Sequence, residues 1–86
     1  MNHDLTLYHM DYCPFCRKVR RAAAALSIPL NLIDIDEHPE ARAMLLKRRG
    51  RATVPVLLIP DGGQGTLLPE SDDIVAWLRR HARQSA

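Results

Sequence analysis

No stretch of this 86-residue chain approaches the roughly 18 consecutive apolar side chains needed to span a bilayer, so no membrane role is expected. Residues 1–4, Met1-Asn2-His3-Asp4, lack the basic region and apolar core of a signal peptide. The expected location is therefore cytoplasmic, where thiols are kept reduced. A one-sided charge is missing too: 12 basic residues stand against 10 acidic ones, and a net charge of +2 is too small to imply a nucleic-acid partner. The basic clusters Arg17-Lys18-Arg20-Arg21, Lys47-Arg48-Arg49-Arg51 and Arg79-Arg80-Arg83 read as solvated helix faces and helix C-termini. Repeats, low-complexity tracts and linkers are absent. With only two cysteines, a disulfide framework is excluded, and a closed four-thiolate zinc site would need a second subunit.

What remains is a chain with 47% apolar residues and mixed charge, expected to form one domain over residues 1–86. A domain of this size buries roughly 60–65% of the surface of its unfolded chain, enough for one sheet and a few helices.

The two cysteines stand close together, in Tyr12-Cys13-Pro14-Phe15-Cys16. This segment follows a short apolar strand over residues 5–9 and opens a helical pattern reaching Leu26. At a helix start, unpaired backbone N–H groups and the positive end of the macrodipole favour a thiolate, so Cys13 is the expected nucleophile. Cys16, one turn further in, is the expected resolving thiol. Asp11 opposes thiolate formation by like charge, and Arg17 or the helix N–H groups must outweigh it.

Phe15, Val19, Ala22, Ala23 and Leu26 fall at helical spacing and are expected inward, with Arg17, Lys18, Arg20 and Arg21 towards solvent. Residues 30–34 read as a second strand, parallel to the first across a crossover helix. Residues 39–48 read as a helix with Ala41, Met44 and Leu45 inward and Gly50 in a left-handed cap. Strands at 56–59 and 66–68 flank the breaker-rich turn 60–65. The last helix starts near Ser71, whose hydroxyl suits its N-terminus, with Ile74, Val75 and Leu78 inward and Trp77 partly buried. His3, His9, His38 and His81 read as surface or helix-end residues, His9 alone coming near the cysteines. The order β-α-β-α-β-β-α predicts an α/β thioredoxin fold, a four-stranded mixed sheet flanked by helices.

Three motifs carry a family resemblance. Tyr12-Cys13-Pro14-Phe15-Cys16 resembles the active site of dithiol glutaredoxins. Residues 47–55, ending in Thr53-Val54-Pro55, resemble the segment before their third strand, with its cis proline. Ser71-Asp72-Asp73 stands where they carry a small residue and two aspartates. Two positions depart: Met10 replaces the Lys common three residues before the first cysteine, and Pro69-Glu70 replaces a Gly-Gly pair. Glu70-Ser71 is instead similar to the Glu/Gln-Ser pair of glutathione transferase N-terminal domains, which holds the γ-glutamyl end of glutathione. The chain thus resembles a stand-alone glutaredoxin of a transferase-like branch, without a helical second domain.

The resemblance implies a glutathione-dependent thiol-disulfide oxidoreductase, with glutathione as cosubstrate and no metal. Its partners would be glutathione and glutathionylated or disulfide-containing proteins, and it would act as a monomer. Glutathione would be held by Tyr12, Pro14, Arg51, Thr53, Val54, Pro55, Glu70, Ser71 and Asp72. Arg51, or else Arg48 or Arg42, would grip the glycine carboxylate in place of the missing Lys. Competing readings are a dimeric iron–sulfur cluster carrier, an electron donor dedicated to one enzyme, and a transferase acting on electrophiles. Pro14 and the second thiol argue against the first, Glu70-Ser71 against the second, and the missing second domain against the third.

Overall fold

The computed structural model describes residues 5–85, so the readings for Met1-Asn2-His3-Asp4, His3 included, lie outside the described residues. The elements are β1 (Thr6–His9), α1 (Pro14–Ala25), β2 (Asn31–Asp34), α2 (Pro39–Arg49), β3 (Val56–Ile59), β4 (Thr66–Pro69) and α3 (Ser71–Ser85). Every expected element is present, with ends shifted by a residue or so, as fraying ends allow. The four-stranded sheet has the order β2-β1-β3-β4. β1 runs parallel to β2 and antiparallel to β3, and β3 pairs antiparallel with β4. This is the thioredoxin fold expected from the element order.

Strand alternation divides the core in two. In register, Leu7 lies beside Leu57 and Tyr8 beside Val56. Leu7 and Leu57 pack on one face with Val19 and Ala23 of α1 and Ile74, Val75 and Leu78 of α3. Tyr8 and Val56 pack on the other with Ile35 and with Ala41 and Leu45 of α2. The inward readings for α2 and α3 hold, Met44 and Trp77 being half-buried. Burying each such Val, Leu or Ile is worth about 1.5–3 kcal/mol over leaving it exposed.

The first helix corrects two expectations. Its fully buried stripe is Cys16, Val19 and Ala23, and Phe15 is 62% exposed. Phe15 sits in the first turn, a step of about 100° round the helix from Cys16 and so off the stripe that meets the sheet. Arg20, expected in solvent, is half-buried.

Two backbone features before β3 match the sequence reading. Gly50 ends α2 at φ +78°, its N–H donating to the Leu46 carbonyl over 2.9 Å. The Val54–Pro55 peptide is cis. The turn between β3 and β4 is built on Asp61, whose carboxylate accepts from the Gly63 and Gly65 N–H groups and the Thr66 hydroxyl. The Arg48 guanidinium clamps the same turn, donating to the Gln64 and Gly65 carbonyls.

Candidate active site

β1 delivers the chain to a turn in which the Cys13 N–H donates to the Met10 carbonyl over 3.1 Å. Cys13 is the cap residue of α1, still extended at φ −77°, ψ 122°, with Pro14 next in the first turn. Its carbonyl already accepts the Arg17 N–H at 3.0 Å. The Cys13 side chain is half-buried and that of Cys16 fully buried, and neither forms a disulfide.

These environments push the two sulfurs apart. Burial alone would raise the Cys13 thiol. The backbone N–H and thiol of Cys16, the Phe15 N–H and the Arg20 guanidinium outweigh it and hold Cys13 below its ordinary 9.0. The neutral thiol makes no capping hydrogen bond. The helix-end N–H groups therefore favour the anion over the neutral thiol. Cys16 is pushed up to about 12, first by burial and then by the hydrogen bond and negative charge of Cys13. The Cys13 sulfur therefore ionises far more readily than that of Cys16.

His9, at the end of β1, is 6% exposed, which corrects its surface reading. Its Nδ1 lies 2.9 Å from an Arg20 guanidinium nitrogen. A guanidinium has only donors, so Nδ1 accepts and the ring is the neutral Nε2–H tautomer. Burial, then Arg20, keep the ring pKa below 6.5, against the opposing charges of Asp34 and Asp11. Arg20 also donates to the Asp11 carbonyl at 3.3 Å. Arg20, not the Arg17 named from sequence, is the cation acting on Cys13. Spacing held that signal: Arg20 is seven residues after Cys13 and four after Cys16, on the same helix stripe.

A cavity of about 350 Å³ opens beside this turn, lined by Phe15, Arg51, Thr53, Val54, Pro55, Pro69, Glu70, Ser71 and Asp72. Seven of these were named from sequence; Phe15 and Pro69 were not. Tyr12 and Pro14 lie outside its wall. Tyr12 is 70% exposed and donates through its hydroxyl to Asp36 at 3.3 Å. Arg42 is paired with Asp36 and Arg48 is spent on the turn carbonyls, which leaves Arg51 as the arginine facing the cavity.

Glu70 adopts φ +74°, a left-handed conformation uncommon for a residue with a Cβ. Its carbonyl accepts the Ile74 N–H at 3.0 Å, so Glu70 rather than Ser71 occupies the cap position of α3. The Glu70 carboxylate, the Ser71 hydroxyl and the Arg51 guanidinium make no hydrogen bond to another described residue. Asp72, by contrast, pairs with Lys18 of α1, which holds its carboxyl below the usual range.

His38 precedes α2 as its cap residue without a side-chain cap bond, its Nδ1 lying 3.1 Å from the Asp34 carbonyl, and His81 stacks on Trp77. Among the described residues, no group of three or more His, Cys, Asp or Glu is placed to hold a metal ion. No helix among them is long and apolar enough to cross a membrane.

Over 78 residues the chain is 30% identical to mouse prostaglandin E synthase 2, covering 91% of this chain but 20% of that protein. It is 27% identical over 56 residues to glutaredoxin 3 of Escherichia coli K12, covering 65% of this chain and 68% of the relative. Among solved structures, glutaredoxin 2 from Salmonella typhimurium in complex with glutathione superposes with a TM-score of 0.75 at 32% identity. That match covers 90% of this chain and 33% of the other. The chain thus spans about a fifth to two thirds of the length of these relatives. A family model, glutathione S-transferase, N-terminal domain, matches residues 7–86. Nearly the whole chain is covered by that match, and it belongs to the glutathione S-transferase N-terminal domain family.

Proposed function

We propose that this chain is a glutathione-dependent thiol-disulfide oxidoreductase that reduces mixed disulfides between proteins and glutathione. The observation that carries the reading is the split dithiol, Cys13 held low and Cys16 pushed up to about 12, beside a cavity where Arg51, Glu70 and Ser71 have no side-chain partner among the described residues. Glutathione carries two carboxylates and one ammonium. Arg51 suits the glycine carboxylate, and Glu70 suits the α-ammonium. Ser71 and the first N–H groups of α3 suit the γ-glutamyl carboxylate. Phe15 supplies an apolar wall, and Thr53-Val54-Pro55 offers backbone groups to the cysteinyl part. Asp72, engaged by Lys18, is the weaker partner for the ammonium.

The chemistry is a pair of thiolate exchanges. The Cys13 thiolate attacks the glutathione sulfur of the mixed disulfide, breaking that S–S bond and releasing the protein as its thiolate. Cys13 is left joined to glutathione. A second glutathione thiolate attacks the glutathione sulfur of that bond, regenerating the Cys13 thiolate and releasing glutathione disulfide. In the dithiol route the Cys16 thiolate attacks Cys13, expels glutathione as its thiolate and leaves a Cys13–Cys16 disulfide, which two glutathiones reduce with release of glutathione disulfide. Once Cys13 is in a neutral disulfide, its charge and hydrogen bond no longer raise Cys16, and the resolving thiol becomes easier to ionise. A reducing compartment such as the cytosol, and a monomeric protein, suit this cycle.

The test is glutathione-coupled reduction of a glutathionylated peptide, with NADPH and glutathione reductase. Wild type and Cys16→Ser should both turn over and Cys13→Ser should not. Absence of turnover in wild type, or equal loss in both variants, refutes the proposal.

A further inference from the structure

Arg20 and His9 are unexplained by the exchange chemistry itself. An arginine on a solvent-facing stripe would trail into water, and a buried histidine would seek a donor and an acceptor. Here the Arg20 side chain runs back towards the start of α1, as helical side chains lean. There it meets the His9 Nδ1 at 2.9 Å and the Asp11 carbonyl at 3.3 Å. Those two acceptors lie four and two residues before Cys13, so they bracket the guanidinium against the turn that carries the nucleophile. Residues 10–15 contain no lysine, arginine or histidine, so the turn has no cation of its own between His9 and Cys16.

We infer that His9 and Arg20 form a positioning pair for the Cys13 thiolate: neutral His9, through Nδ1, and the Asp11 carbonyl fix the Arg20 guanidinium beside the dithiol turn. The charge comes from the second turn of α1, and the end of β1 aims it. The inference rests on the proposed role of Cys13 as nucleophile and extends it to residues outside the cavity.

The groups facing His9 are Arg20 of α1, Asp11 of the turn and Asp34 at the end of β2. Protonating the ring would put an N–H against the guanidinium and break the bracket. The pair therefore works only with neutral His9.

The test is the pH dependence of Cys13 alkylation by iodoacetamide, which needs no glutathione, beside the turnover assay. Arg20→Met should move the alkylation midpoint to higher pH and slow labelling at pH 6 by about three- to tenfold, half to one pK unit. Arg20→Lys, which keeps the charge, should restore at least half of that loss. His9→Leu should act in the same direction, and His9→Asn, which keeps an acceptor near the Nδ1 position, should recover it. A midpoint unmoved in Arg20→Met overturns the inference, as does a loss in His9→Leu that His9→Asn fails to recover. If the variants merely destabilise the fold, melting temperatures fall while the midpoint stays fixed, which also overturns it. Failure of the proposed function is distinct: the wild type would then show a low alkylation midpoint without glutathione-coupled turnover.

Discussion

Alkylation of the native protein at pH 7 should fall almost wholly on Cys13. A thiol at its ordinary 9.0 is about 1% ionised at pH 7, and Cys13 lies below that value, so its thiolate fraction is larger. Cys16 at about 12 would be ionised at roughly one part in 10⁵. The thiolate ratio is therefore at least about 10³. A more basic thiolate is the better nucleophile, by a factor of about 10^0.4 to 10^0.5 per pK unit, and three units return some 15- to 30-fold. The net preference for Cys13 is at least about 30-fold, and complete burial of Cys16 adds to it. The assay is brief treatment with limiting iodoacetamide, digestion, and fragmentation mass spectrometry of the singly labelled peptide containing both cysteines. Low conversion matters, because a labelled Cys13 no longer raises Cys16. Comparable labelling of the two sulfurs would refute the assignment of nucleophile and reserve thiol.

Glu70→Gly should raise the KM for glutathione severalfold without lowering the melting temperature. Glycine tolerates the φ of +74°, which costs a Cβ-bearing residue about 1–2 kcal/mol, so a purely structural Glu70 would predict no kinetic effect. His9 should make stability pH-dependent. Its folded pKa is lowered by burial and Arg20, so the unfolded chain binds the proton first. Stability is then complete above about pH 6.5 and falls as pH drops from there to the lower folded value. Denaturation midpoints between pH 5 and 7.5 should show this slope in wild type and lose it in His9→Asn. Gly65→Ala should cost about 2–4 kcal/mol, from overpacking and a disfavoured φ together. Its Cβ would meet Leu58 Cδ1 at 2.5 Å at φ +89°. Gly62→Ala, at the same φ with open space, should cost only the backbone share, so equal melting temperatures for the two would refute the packing argument.

The sequence carried the frame of this molecule because local rules agreed there with the global fold. The core positions of α2 and α3 recur at helical spacing, Gly50 marks a left-handed cap, and Pro60 to Gly65 can only be a turn. Arg51, Thr53-Val54-Pro55 and Glu70-Ser71-Asp72 are far apart in the chain, and residue types alone do not say that they share a cavity. The resemblance brought them together. Phe15 shows the limit of ring size as a guide: it stands one residue, about 100° round the helix, from the buried Cys16 and so off the stripe that meets the sheet.

The polar side of the site was read less well, for a physical reason. Arg17, Lys18, Arg20 and Arg21 are alike in composition, and although spacing puts Arg20 on the stripe of Cys16, Arg17 is nearer the dithiol along the chain. Arg20 differs because its side chain reaches two fixed acceptors. Arg17 makes no hydrogen bond through its side chain to another described residue. A long cation held in one geometry acts on a nearby thiolate more strongly than a closer one averaging over solvent, since screening and side-chain entropy erode the latter. The anchor is His9, and its role depends on burial and tautomer, neither of which a sequence displays. Burial of His9 in turn depends on β1 lying between β2 and β3 in the sheet interior. The charge beside Cys13 is thus tied to strand order, through a histidine that burial in the assembled sheet keeps neutral to lower pH.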